Sequence, residues 1–211
     1  MLTRRQSIAR GLAAGSVLVI PTAALSQQPH ANPMPPELRQ ALEREANAPV
    51  LGNPNGDITL VEFFDYNCQW CRKLVDDIPH YIESDPNLRI VFREWPVFGE
   101  GSFYAAQVAL ASLPQGKYWQ THHALMKIRG RAEPASVDRV IRQVGLDEAR
   151  LREDMQGQAV SSHLLHSHEL ADSMGLAGTP TFIAGHEAHF GDISRSDMRE
   201  FIAQARRDLG V

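Results

Sequence analysis

The chain has 211 residues, 43% of them hydrophobic, with 21 basic and 25 acidic side chains and two cysteines. That length supports one sizeable core without requiring a second domain, and the net charge of −4 disfavours a nucleic-acid partner. Two cysteines three positions apart exclude a structural disulfide framework, because so short a loop constrains almost nothing of the unfolded chain.

In chain order, Arg4, Arg5 and Arg10 precede a mildly apolar run over 11–20 that Pro21 ends. The run is too short to cross a bilayer as a helix. Ala24-Leu25-Ser26 offers small residues at the two positions a signal peptidase reads, so residues 1–26 read as an export signal peptide and the destination as the periplasm. Thr3-Arg4-Arg5-Gln6-Ser7-Ile8 resembles a twin-arginine signal, although Ser7 stands where that motif prefers a bulky apolar residue, so the Sec and Tat routes both stay open. An uncleaved anchor helix is the weaker alternative, given the glycines and alanines of the run. Losing 1–26 removes three arginines and leaves 18 basic residues against 25 acidic ones, a formal charge of −7.

Residues 27–49 read as a leader containing one short amphipathic helix, with Leu38, Ala41 and Leu42 at helical spacing over 37–45. Pro49, Gly52, Pro54 and Asn55-Gly56 predict a turn-rich connection. A strand over 58–64 has apolar residues in both alternating sets, which suits cover on both faces. A helix follows over 68–84, with Pro79 expected to interrupt it, and then a strand over 88–95. Five helical segments are predicted over about 103–174, with Gly145 and Gly175 at helix C-caps. A hairpin over 181–190 and a last helix over 196–208 close the chain. This order predicts an α/β fold with an all-helical insertion, over about 101–174, inside a domain of residues 50–211.

Cys68-Gln69-Trp70-Cys71 lies at a strand-to-helix junction. The unpaired N–H groups and positive end of the helix favour a thiolate at Cys68, while Cys71, one turn inside, can attack the mixed disulfide that Cys68 forms. Cys68 is read as the nucleophile and Cys71 as the resolver. Half of a zinc site, a Cu(I) site of two thiolates and an inert buried pair are the alternatives; zinc would need two further ligands, and Gln69 with the Arg72-Lys73 step argues for an exposed helix start. Glu62, within the apolar strand, is expected to point beneath the site and take the proton of Cys71. Gly178-Thr179-Pro180-Thr181 suits a cis-proline, with the Thr179 backbone able to pair with an extended substrate. Trp70, partly exposed between the cysteines, and Gln69 are candidate substrate contacts.

From Val50 onward the order of elements resembles the DsbA-like family of thioredoxin-fold proteins. The stretch Val61-Glu62-Phe63-Phe64-Asp65-Tyr66-Asn67-Cys68-Gln69-Trp70-Cys71 is similar to the active site of its Com1- and ScsC-like branch. The resemblance implies a thioredoxin-like three-layer sandwich, with Cys68 and Cys71 as redox pair, Glu62 as buried acid and Pro180 as cis-proline. It further implies thiol–disulfide exchange with unfolded or partly folded exported proteins, no bound cofactor, and a membrane or periplasmic redox partner that regenerates the pair. The best-known oxidases of the family carry Pro-His between the cysteines and valine before the cis-proline; Gln69-Trp70 and Thr179 stand here instead. An isomerase or reductase of ScsC type is thus the same-chemistry alternative, with the 37–45 helix as its candidate oligomerisation element, and a non-catalytic copper- or peptide-binding protein is the other. The helix dipole alone lowers the Cys68 pKa to around 7, from roughly 8.5, which predicts a milder oxidant than DsbA itself.

His163, His166 and His168 share a predicted helix, but His168 lies well away from the other two around it, so all three are read as a polar face rather than a metal site. His122-His123 and His186/His189 are read in the same way. Arg72 and Lys73 are expected to point into solvent, and Phe103, Tyr104, Tyr118 and Trp119 to form the core of the insertion.

Overall fold

The computed structural model describes residues 33–211; the expected signal peptide and the first part of the leader lie outside the described residues. Strands β1 (Val50–Gly52), β2 (Ile58–Phe64), β3 (Leu88–Glu94), β4 (Thr181–Ala184) and β5 (Glu187–Phe190) form one sheet in the order β1-β3-β2-β4-β5. The β2–β3 pair is parallel and the other three pairs are antiparallel. Every residue of β2 and β3 is buried, as two-sided cover requires. Strand β1 was not expected. Its three residues lie in a stretch that Pro49, Gly52 and Pro54 mark as turn, and they become a strand only by pairing with residues 89–91 of β3.

Helices α2 (Gln69–Leu74) and α3 (Ile78–Ser84) are separated by a 3-10 turn, Val75–Asp77, just before Pro79, which enters the first turn of α3 where its missing N–H costs nothing. The five helices of the insertion are α4 (Glu100–Ala111), α5 (Tyr118–Met126), α6 (Pro134–Val144), α7 (Glu148–Met155) and α8 (Gln158–Ser173). Gly145 ends α6 in the left-handed conformation that favours glycine. The last helix is α9 (Arg195–Leu209).

Two apolar clusters lie on the two faces of the sheet. Leu60, Phe64, Ile90 and Phe92 pack with Cys71 and Leu74 of α2, Ile78 of α3, Met198 and Ile202 of α9, and the insertion. Val61, Phe63, Val91 and Ile183 pack with Leu42 of α1 (Pro36–Glu43) and Ala171 near the end of α8. The result is a thioredoxin-like sandwich with helices on both sides of a mixed sheet. Arg93 of β3, fully buried, donates to the carbonyls of Ala41 and Leu42 and pairs with Glu45, while Arg89 donates to the Glu43 carbonyl. These arginines satisfy the orphan carbonyls at the end of α1 and hold it against the sheet. Leu42, the buried residue of α1, and Leu38 beside it pack inside the fold.

Several side chains depart from the sequence reading. His163 is fully buried with its Nε2 2.7 Å from Oε2 of Glu94, and His122 is buried against Tyr66; neither belongs to a polar face, unlike the exposed His166 and His168. The signal was present: His163 falls on the buried stripe of α8 with Val160, Leu164, Ser167 and Ala171, at helical spacing. Tyr118 is core, but Phe103 is 47% exposed while its neighbours Ala105 and Ala106 are buried.

Candidate active site

Strand β2 ends at Phe64, and the chain must turn at once to start α2. Asp65 and Asn67 make that turn by hydrogen-bonding the backbone, as Asp and Asn do in tight connections. Buried Asp65 accepts from the N–H groups of Asn67, Val97 and Phe98 and from the Ser102 hydroxyl. Asn67 donates to Ala132 O and Ser102 Oγ and accepts from Ala132 N. Ala132 can approach because Gly101 lacks a side chain: a Cβ there would lie 2.1 Å from the Ala132 carbonyl oxygen. Arg72, expected in solvent, folds back instead; its guanidinium donates to the carbonyls of Tyr66 at 2.6 Å, Ile128 at 3.2 Å and Gly130 at 2.5 Å. The loops on both sides of the cysteines are thus tied to the insertion. Sequence reasoning missed Asp65, Asn67 and Arg72 as positioning groups; the Asp-x-Asn pair just before a helix start was the available sign. Lys73 remains exposed, paired with Asp192 at 2.5 Å and lying over the Trp70 ring.

Cys68 caps α2, with its Sγ 3.4 Å from the Cys71 backbone N–H and 3.2 Å from the Thr179 carbonyl oxygen. Both cysteines are free thiols. The Thr179–Pro180 peptide is cis, and among the described residues the Thr179 hydroxyl makes no hydrogen bond while Cys68 is a thiol. The Cys68 pKa falls to about 6, chiefly through hydrogen bonding from Cys71, with Thr179 and the Cys71 and Trp70 backbone adding to it against the opposing cost of burial. Cys71 moves the other way: burial first, then its bond to Cys68, push its pKa well up. One thiol is ready to ionise and the other is kept protonated.

Glu62 is buried on β2, and its Oε2 has no hydrogen-bond partner among the described residues. Burial, then the charge of Cys68, then that of Glu94 raise its pKa from 4.5 to about 8. Its charge is felt by Cys71, so the carboxyl and the inner thiol share one compartment. Gln69 and Trp70 are exposed, Trp70 by 43%, leaving an aromatic face beside the nucleophile. Phe190, 57% exposed, lies against Gly178 at the start of the cis-proline loop. The structure therefore brings Glu62, Cys68, Cys71 and Thr179-Pro180 together and leaves Gln69 and Trp70 at the rim.

The chain matches the family model of the DSBA-like thioredoxin domain over residues 59–203, well over half its length. It is 44% identical to a thioredoxin-like oxidoreductase from Silicibacter pomeroyi DSS-3, with a TM-score of 0.77, covering 80% of this chain and 98% of that one. The thiol-disulfide exchange protein alpha-DsbA2 from Wolbachia pipientis is 26% identical, with a TM-score of 0.73 over 80% of this chain and 91% of its own. The catalytic domain of Proteus mirabilis ScsC, at 22% identity and a TM-score of 0.74 over 80% and 94% of the two chains, shares the fold. Among curated proteins the chain is 26% identical over 144 residues to the Na(+)/H(+) antiporter NhaA 3 of Salinispora tropica, covering 67% of this chain but 22% of the antiporter. It thus spans about a quarter of the length of the curated relatives it matches. With the family model, the 44% relative and the CxxC geometry in agreement, the chain belongs to the DsbA-like thioredoxin-domain family.

Proposed function

We propose that the protein exchanges disulfides with unfolded or partly folded exported proteins in the periplasm, with Cys68 as nucleophile, Cys71 as resolving thiol and Glu62 as their proton store. The observation that carries this reading is the asymmetry of the pair: Cys68 at a helix start beside Thr179, its pKa about 6, and Cys71 buried over a carboxyl that keeps its proton to about pH 8.

In the oxidising direction, a substrate thiolate attacks Sγ of Cys68 in the Cys68–Cys71 disulfide. The sulfur–sulfur bond breaks, Cys71 leaves as a thiolate, and Glu62 hands it a proton. A second substrate thiolate then attacks the substrate sulfur of the mixed disulfide and releases Cys68, whose low pKa makes it a good leaving group. In the reducing direction Cys71 attacks the mixed disulfide after giving its proton to ionised Glu62. At neutral pH Glu62 is mostly protonated, which favours its service as the acid. Thr179-Pro180, with Trp70 at the rim, offers an extended substrate a backbone edge and an apolar contact. The cysteines are the whole redox apparatus, regenerated by a membrane or periplasmic partner.

A Cys68 pKa of about 6 lies between the values near 7 for thioredoxin and near ~3.5 for DsbA. The reduction potential is accordingly expected between roughly −270 and −120 mV, that of a mild oxidant. The test of the reading is trapping. Cys71→Ala should accumulate mixed disulfides in the exported fraction while Cys68→Ala accumulates none, and the parent protein should oxidise a reduced peptide without metal. Equal trapping by both variants would reverse or remove the assignment.

A further inference from the structure

Glu62 has a neighbour that the exchange chemistry does not use. Strands β2 and β3 run parallel with Glu62 beside Phe92 and Phe64 beside Glu94. Side chains alternate across a strand, so Glu62 and Glu94 project from the same face, one diagonal step apart. Glu94 is completely buried, as Glu62 nearly is. A compartment closed to water resists two negative charges, so the donors decide which carboxyl ionises.

Glu94 has those donors. The Tyr118 hydroxyl donates to its Oε1 at 2.6 Å, and His163 Nε2 stands 2.7 Å from its Oε2. The His163 approach is oblique: Glu94 Oε2 accepts no hydrogen bond of good geometry among the described residues, and Ser167 Oγ lies 3.4 Å from the same ring nitrogen, so this contact is an ion-pair distance rather than an aligned bond. Among the described residues Oε2 of Glu62, like Oε2 of Glu94, accepts no hydrogen bond of good geometry, so what separates the two carboxyls is the Tyr118 bond to Glu94 Oε1 and the 2.7 Å contact of Glu94 with His163. The remaining titratable groups of this region are Asp65, Tyr66, Cys68 and Cys71 around the start of α2, Tyr81 from α3, and Tyr118 and His122 from α5. Burial pushes all three tyrosines up and His122 down to about 3, so these side chains stay neutral near pH 7. Among the described residues His163 brings a ring nitrogen within ion-pair distance of one of the two glutamates, and that one is Glu94.

We infer that Glu94 is a positioning residue for proton transfer at Cys71: held by Tyr118 and His163, it takes the negative charge of the compartment and so leaves the proton on Glu62. The inference rests on the Glu62 role proposed above. It gives the buried cluster of β3, α5 and α8 a purpose in the exchange, since the insertion supplies both donors and thereby sets the charge beneath the cysteines. Glu94 touches no reacting atom and acts through Glu62 alone.

The experiment follows the infrared carbonyl band of the protonated buried carboxylic acid against pH in the reduced protein, together with the pH–rate profile of mixed-disulfide resolution. In the parent the band should titrate near pH 8 and vanish in Glu62→Gln. In Glu94→Gln, which keeps an acceptor for Tyr118, both the band and the rate profile should shift down by about one pH unit, the effect of removing a like charge close by. Tyr118→Phe, a smaller change that keeps the ring packing, should shift both in the same direction by less. Glu62 midpoints unchanged in both variants would overturn the inference while leaving the Glu62 role intact. A band and profile unaffected by Glu62→Gln would remove that role and the inference with it.

Discussion

The two faces of β3 treat buried charge in opposite ways. On one face Arg93, completely buried, meets the carbonyls of Ala41 and Leu42 and the carboxylate of Glu45, so its guanidinium is met by acceptors on α1. On the other face, Glu62 across the strand pair lies under the cysteines with an oxygen that has no hydrogen-bond partner among the described residues. Desolvation has the same sign for both groups. Where partners offset it, the charge becomes a clamp that fixes a helix. Where they do not, the cost appears as a raised pKa, and the group holds a proton that chemistry can use.

The comparison breaks most visibly at Arg93. Arg93→Met keeps the stem but strips the donors, leaving Glu45 and the end of α1 without their partner, and should cost about 3–5 kcal/mol. The urea midpoint should fall accordingly, and the amides of 36–43 should lose hydrogen-exchange protection before those of the sheet. A loss below about 1 kcal/mol would show that α1 is held by its apolar contacts alone.

Glu62→Gln should act with the opposite sign. The folded protein keeps a proton on Glu62 up to about pH 8 that the unfolded chain releases near 4.5, so this group's contribution to stability declines as pH rises between those values. A glutamine has no such decline. The variant should therefore be more stable than the parent by about 3 kcal/mol at pH 7, with the difference closing below about pH 4.5. It should also slow resolution by Cys71. Denaturant titrations at pH 4.5 and pH 7 read the first effect and stopped-flow exchange the second; a variant less stable than the parent at pH 7 would contradict the burial argument.

The smallest expected effect sharpens the contrast between unsatisfied and satisfied groups at Cys68. The Thr179 hydroxyl, unpartnered over the thiol, is a donor that a thiolate can recruit. Thr179→Val should raise the Cys68 pKa above about 6 by up to roughly one unit, worth about 1.4 kcal/mol, and lower the reduction potential by up to about 30 mV. Because the Cys68 pKa is depressed on folding, the reduced protein gains stability as pH rises through about 6, and the variant should gain less. Titration of the thiolate absorbance measures the shift directly; an unchanged midpoint would leave the backbone and Cys71 as the only stabilisers.

The readable parts of this protein were those specified by short stretches of chain. A short run with apolar residues in both alternating sets marked 58–64, the Cys68–Cys71 spacing marked a helix start, and Thr179-Pro180 marked the loop that faces it. What neighbours in sequence could not tell was which polar groups would be closed off from water and with whom. Strand β1 exists because β3 offers it an edge, despite its glycine and the prolines at 49 and 54 that flank it. His163 looked like one histidine of a polar face until α8 turned it toward Glu94, and Arg72 looked solvated until residues 128–130 brought carbonyls within its reach. Even the Cys68 pKa, near 7 from the helix end alone, moves to about 6 chiefly through hydrogen bonding from the Cys71 side chain, with the side chain of Thr179, 111 residues away along the chain, adding to it. Sequence by itself determined the reagents, since spacing and periodicity are local. Tertiary structure decided their charge states, because desolvation and hydrogen-bond partners come from residues far apart along the chain.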